Sequence, residues 1–250
     1  YLCNNGGNRY VEGHSMGLGP HPDYKHGYIQ RIDPRTGEAT VLYDQVNGHY
    51  LSAPNDLVFD AEGGFYFTDM GKRHPRHRDN GGVYYALPDG SRIVELAYPM
   101  LSPNGCGLSP DGKRLYVGDT EGARLWVFEV EAPGRLKPKA QFAPHSGRVL
   151  AGLPGNARFD SLAVLASDNI AVATLMTGCI TEFSPEGEIV RVVEMPDRYP
   201  TNLCFGGEDM RTAYVTLSDS EARHAAVAGA GLAARLRLKL RRSMRRALAA

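Results

Sequence analysis

The chain has 250 residues, a mass of 27.3 kDa and 42% hydrophobic residues, enough for one large domain or two small ones with a filled core. Its formal net charge of zero hides an asymmetry: residues 221–250 carry eight Lys/Arg against the single acid Glu221, so the remainder keeps 20 basic against 27 acidic residues, about −7, a body that repels nucleic acid. No run approaches the roughly 18 apolar residues of a membrane span, and Cys3, Cys106, Cys179 and Cys204 form no CxxC pair, which excludes a zinc ribbon and leaves them as strand-core thiols.

Taken in chain order, YLCNNGG opens as if in mid-strand, as the second strand of a unit whose first strand would precede Tyr1. GHSMG, residues 13–17, fits the G-x-S-x-G nucleophile elbow, but that motif needs a helix directly after the serine. Gly19, Pro20, Pro22 and Gly27 follow instead, and the stretch reads as a polar loop. YIQRIDPRTGEATVLYD is a hairpin, and NDLVFDAEGGFYFTDMG from Asn55 is a strand, a turn and a strand. KRHPRHRDNGG, with His74 and His77, reads as a solvated basic loop on a rim or at the far end of the fold. The strand-turn-strand phrase returns in NGCGLSPDGKRLYVGDT from Asn104, DSLAVLASDNIAVATLMTG from Asp160 and TNLCFGGEDMRTAYVTLS from Thr201, with further hairpins between them. After Ser218 the chain turns Ala-, Leu- and Arg-rich, which favours helix over strand; GAGLAA within it follows no βαβ unit and is no dinucleotide fingerprint.

Units that begin at Asn55, Asn104, Asp160 and Asn202 recur at intervals of 49, 56 and 42 residues. Two hairpins per unit make four strands, and a four-stranded unit at that period is the signature of a β-propeller. The expected fold is an all-β, six-bladed β-propeller over residues 1–218, lacking its N-terminal blade, followed by an atypical basic tail over 219–250 that is helical or disordered.

In a propeller the first strand of every blade lines the central channel, so Asn55, Asn104, Asp160 and Asn202 converge on one end of it. Convergent amide and carboxylate oxygens in an acidic body suit a hard divalent cation such as Ca²⁺ or Mg²⁺, and Zn²⁺ also accepts carboxylate oxygen. The bland alternative is that each is a turn residue between strands.

APNDLVFD, FTD, SPNGCGLSPDG, FDSLAV and PTNLCFGG together resemble the SMP-30/gluconolactonase/luciferin-regenerating-enzyme-like family, from Tyr1 to about Ser218. The resemblance implies a six-bladed propeller that binds one divalent metal in its channel, Ca²⁺ first with Zn²⁺, Mg²⁺ or Mn²⁺ as alternatives, and that opens a lactone ring with a metal-activated water. It makes Asn104 and Asp160 metal ligands, Asn55 a further ligand or a contact to substrate, and Asp160 the general base. Thr201 and Asn202 head the next blade as candidate contacts to substrate hydroxyls, and Asn4 and Asn5 are similar. The family's N-terminal glutamate ligand has no counterpart, since Glu12 in VEGH falls past the inner strands of its blade. The implied partner is a small-molecule lactone, with no nucleic acid and no membrane beyond weak surface binding by the basic tail. With no signal-peptide pattern the cytoplasm is the default location. The alternative is a non-catalytic metal-binding propeller that serves as a binding or regulatory module.

Overall fold

The structure, a computed structural model, describes residues 1–10 and 19–218 and the backbone of residues 235–238. Every regular element among them is a strand. The first sheet has the order β1 (Leu2–Asn4), β2 (Tyr28–Ile32), β3 (Ala39–Tyr43), and a ribbon of β4 (Gln45–Val46) and β5 (His49–Tyr50) follows it. The second is β6 (Pro54–Phe59), β7 (Phe65–Asp69), β8 (Gly81–Ala86), β9 (Ile93–Met100). In the third, β10 (Pro103–Leu108), β11 (Arg114–Asp119) and β12 (Arg124–Ala132) are extended by β13 (Arg135–Leu136) and β14 (Arg148–Gly152), both paired to β12. The fourth is β15 (Arg158–Val164), β16 (Ile170–Leu175), β17 (Cys179–Phe183), β18 (Ile189–Glu194), and the fifth is β19 (Pro200–Gly206), β20 (Thr212–Leu217), β21 (Arg235–Leu238).

The turns form where the sequence places Asp and Gly, because each aspartate holds its own turn. Asp60 Oδ1 accepts from the N–H groups of Glu62 (2.9 Å) and Gly64 (3.0 Å), and Asp111 Oδ1 accepts from Lys113 N (3.0 Å) and Ser109 Oγ (2.7 Å). The second strands of the second, third and fourth sheets are buried on both faces because those sheets are covered on both. Along β7, Phe65 and Phe67 pack with Ile29 and Tyr43 of the first sheet, while Tyr66 between them packs with Leu115 and Val117 of the third. β11 repeats the alternation, with Tyr116 turned to Phe159 and Ile170 of the fourth sheet. Full burial of each such side chain contributes about 1.5–3 kcal/mol, so the interleaved cores hold the stack of sheets.

The first strands β6, β10, β15 and β19 stand side by side, with β1 against β6. Threonines at the ends of the second strands join neighbours laterally: Thr68 Oγ1 donates to the carbonyl of Asn104, and Thr120 Oγ1 to that of Phe159 (2.6 Å).

Some expectations change. The second and fourth sheets have the four strands the repeat suggests, but the third gains a fifth because β14 returns along β12. Cys106 and Cys179 are buried thiols, Cys3 is half-buried and Cys204 is exposed on β19. In the tail, Arg235–Leu238 pairs parallel to β20 rather than coiling, since the edge of β20 offers unpaired N–H and C=O groups to any chain alongside; the rest of the tail lies outside the described residues. No helix among the described residues is long and apolar enough to cross a membrane.

Candidate active site at the heads of the first strands

Each first strand carries a register shift at its head. The shifts lie between Pro54 and Leu57 on β6, Pro103 and Cys106 on β10, Phe159 and Leu162 on β15, and Pro200 and Asn202 on β19. A bulge frees residues from the ladder and re-aims their side chains. The freed residues are Asn55 and Asp56, Asn104 and Gly105, Asp160 and Ser161, and Thr201. Asn, Asp and Gly, which strands disfavour, stand there because the ladder does not use them. Gly105 has a second reason: a Cβ there would lie 2.5 Å from Ser161 Cα and Leu162 N, so β10 and β15 approach this closely only with glycine.

Asn104 is buried, and its Oδ1 is enclosed with no hydrogen-bond partner. Its Nδ2 donates to Thr120 Oγ1 at 3.0 Å and lies 3.9 Å from the sulfur of Met70, which is 3.7 Å from Asn55 Nδ2. Met70 therefore ties the two asparagines together. An unpaired buried acceptor costs about 1–3 kcal/mol and calls for an explanation.

Asp160 supplies one. Loss of solvent around its carboxyl group pushes the pKa up to about 7, with the charge of Asp56 adding to the rise, while the Asn104 amide and the Ser161 N–H pull it down. A carboxylate short of solvent and an orphaned amide oxygen at adjacent strand heads would each gain from a bound cation. The donor set, amide oxygens of Asn104 and Asn55 with the Asp160 carboxylate, is the hard-oxygen chemistry that Ca²⁺ and Mg²⁺ take, so these residues fit a divalent cation.

One residue of the site escaped the sequence reading. Asp56 Oδ2 accepts from Ser161 Oγ (2.7 Å) on β15 and from Cys106 N (3.4 Å) on β10, and Asp56 Oδ1 accepts from Leu57 N (2.9 Å). It fastens three adjacent first strands at the level of the bulges. The visible signal was the second member of the Asn-Asp pair after Pro54. Asp69 and Asp119 support the approach to the site. Asp69 accepts from Ser52 N (2.6 Å), Ala53 N (2.7 Å) and Gly71 N (2.8 Å), and Asp119 Oδ1 from Ser102 Oγ (2.8 Å) and Gly122 N (3.0 Å).

The other candidates have hydrogen-bond partners of their own. Thr201 Oγ1 bonds to Thr216 Oγ1 (2.8 Å), and Asn202 is exposed, its carbonyl accepting from Thr216 (3.4 Å). Asn4 and Asn5 cap their own loop through the N–H groups of Gly6 and Gly7, both at 2.9 Å. Glu12 and GHSMG lie outside the described residues, and residues 19–27 contain no helix.

The basic loop is nearer the site than expected. Pro54 pairs with Asp69, so β7 ends beside the head of β6, and residues 70–80 lie at the same end as the asparagines. There Arg73, His74, Pro75, Arg76, His77, Arg78, Leu101 and Glu121 line a cavity of about 380 Å³. His74, His77 and Asp79 offer ligand atoms within 4.8 Å of one another, a second place that could hold a cation.

Residues 22–219 match the family model described as SMP-30/Gluconolactonase/LRE-like region. The chain is 27% identical over 208 residues to a gluconolactonase of Zymomonas mobilis (78% of this chain, 56% of that protein). It is 26% identical over 230 residues to a 6-deoxy-6-sulfogluconolactonase of Pseudomonas putida (77% and 76%). It is 33% identical over 172 residues to the lactonase drp35 of Staphylococcus haemolyticus (69% and 50%). The chain thus spans about half to three quarters of the length of these curated relatives. Among solved structures, a gluconolactonase of Xanthomonas campestris superposes with a TM-score of 0.61 at 26% identity, covering 75% of this chain and 61% of that one. A calcium-binding regucalcin of Agrobacterium tumefaciens does so with the same TM-score at 21% identity, covering 74% and 59%.

Proposed function

Because the chain belongs to the SMP-30/gluconolactonase/LRE-like family, we propose that it is a metal-dependent lactonase of the six-bladed propeller class, which opens the ester ring of a sugar lactone. The observation that carries this reading is the orphaned Oδ1 of Asn104 next to the desolvated carboxyl of Asp160. Asn104, Asp160 and Asn55 would hold the cation. When bound, a divalent cation supplies a Lewis acid for the lactone carbonyl and makes a nearby water more acidic.

Asp160 is the general base. As the oxygen of water bonds to the carbonyl carbon, Asp160 takes its proton, and it returns that proton to the ring oxygen when the ester C–O bond breaks, which yields the open hydroxy acid. Thr120 fixes the Asn104 amide so that Oδ1, and not the nitrogen, is left unpaired. Asp56 sets the spacing of β6, β10 and β15, and with it the separation of the three ligands. Asn55 would also touch the substrate, with Thr201 and Asn202 on β19, beside β15, as contacts to the sugar hydroxyls.

Proton release from a panel of sugar lactones, followed at constant pH, tests the reading. Ring opening well above the spontaneous rate supports it. Folded protein that binds a divalent cation yet turns over no lactone would make the chain a binding propeller instead.

A further inference from the structure

We propose that residues 73–78 form an anion subsite beside the lactone site, so that the favoured substrate carries an acidic group, a carboxylate, sulfonate or phosphate ester, away from its ester ring. The inference rests on the lactonase reading for the reaction, though not for the binding.

The location comes from three single-residue steps. Arg78 donates to the carbonyl of Met70 at 2.7 Å, and the sulfur of Met70 touches both Asn55 and Asn104. Glu121, in the cavity wall, follows Thr120, the partner of Asn104. Arg158, two residues before Asp160, donates to Glu121 at 2.7 Å. The wall of the cavity and the candidate ligands are thus built on the same strand ends, a few Cα steps of about 3.8 Å apart.

The charge comes from the loop. Arg73, Arg76 and Arg78 line the cavity together with His74 and His77. The opposing carboxylate, Glu121, is shared by Arg73 (3.5 Å), Arg78 (3.9 Å) and Arg158 (2.7 Å), and Arg76 joins none of these pairs. Asp79 is engaged with His74 at 3.4 Å. Three guanidiniums therefore line the cavity against one carboxylate, Glu121, with Asp79 and Asp119 acting on Arg78 from outside the lining. Guanidinium forks match planar carboxylates and the oxygens of sulfonate or phosphate, which makes an anion the fitting occupant. A cation at His74, His77 and Asp79 fits less well: the imidazole rings are stacked 4.3 Å apart at 10°, and the surrounding arginines repel it.

The experiment compares kcat/KM for glucono-δ-lactone with that for 6-phosphoglucono-δ-lactone and a glucarolactone, in wild type and in an Arg73→Ala, Arg76→Ala double variant. Both side chains are exposed, so the fold tolerates their loss. Wild type should favour the charged lactones by at least about tenfold, and the double variant should cut that ratio by at least about tenfold, the scale of one charge-assisted hydrogen bond. A wild-type ratio near one, or one that the double variant leaves unmoved, would overturn the proposal.

Calorimetry separates this outcome from failure of the lactonase reading. Tighter binding of 6-phosphogluconate than of gluconate, lost in the double variant, supports the subsite even if no lactone is opened. Inorganic phosphate bound as tightly as 6-phosphogluconate would reveal a free-anion site and overturn the claim about substrate, and equal binding of the two sugar acids would overturn it as well.

Discussion

The side chain of Asn104 gives its amide nitrogen to Thr120 Oγ1 at 3.0 Å, and its oxygen is left buried and unpaired. Thr120 in turn donates to the carbonyl of Phe159, the residue before Asp160, at 2.6 Å. One hydroxyl thus sets the orientation of one proposed ligand and the backbone beside the other. Thr120→Val keeps the shape and removes both bonds. It should destabilise the protein by about 1–3 kcal/mol and weaken divalent-cation binding by about tenfold, as loss of an outer hydrogen bond to a ligand does. Urea unfolding and cation titration measure the two effects, and unchanged cation affinity would free Asn104 from its role.

Asp160→Asn should lower kcat by about 10²–10⁴, the usual contribution of a positioned base. Its folded pKa of about 7 lies above the unfolded value of 3.8, so the folded protein binds more protons over that interval, and the metal-free protein loses stability as pH rises from about 4 to 7. The asparagine variant escapes that loss. In chelated buffer at pH 8 it should melt no lower than wild type, and a large fall in melting temperature would mean that Asp160 serves the fold instead.

Much of this was legible in the chain. Asp and Gly at the turns gave the hairpins, their recurrence gave the sheets, and Asn or Asp at the start of each first strand marked one end of the fold. The bulges were not legible, because a register shift depends on the partner strand and has no residue code of its own. Asp56 went unassigned for the same cause: its partners, Ser161 and Cys106, are 105 and 50 residues away. Of the two places open to the loop with His74 and His77, a rim or the far end, Pro54 pairing with Asp69 excludes the far end, and the loop's own residues do not encode that pairing. At β21, four residues follow a neighbouring edge instead of their own helical preference.

Asp56→Ala removes the shared acceptor of β6, β10 and β15 and leaves the Cys106 N–H and the Ser161 hydroxyl without it. A loss of about 2–4 kcal/mol is expected, with Asp56→Asn milder because one oxygen remains. Denaturant unfolding checks both, and a loss below about 0.5 kcal/mol for the alanine variant would show that the three strands hold without it.

Lys72 is buried and donates to Asn5 O (2.7 Å) and Asn8 Oδ1 (2.8 Å). Burial pulls its pKa down to about 8 against the raising effect of Asp69 and Asp79. Between about 8 and its unfolded value of 10.5 the folded protein binds fewer protons than the unfolded chain, so the contribution of Lys72 to stability rises with pH over that window. The stability of wild type relative to Lys72→Met should therefore increase from pH 8 to pH 10, by at most about 3 kcal/mol. A difference that stays flat would place the lysine in solvent.

If Asn104, Asp160 and Asn55 hold a divalent cation that ring opening requires, removing that cation should stop turnover. The most direct measurement is the rate of glucono-δ-lactone opening by protein stripped with a chelator, dialysed, and assayed with and without Ca²⁺, Mg²⁺, Mn²⁺ or Zn²⁺. Stripped protein should lose at least about 10²-fold in rate, and one of these cations should restore it, with no restoration in Asp160→Asn. Full turnover by the stripped protein, unmoved by any added cation, would contradict that requirement.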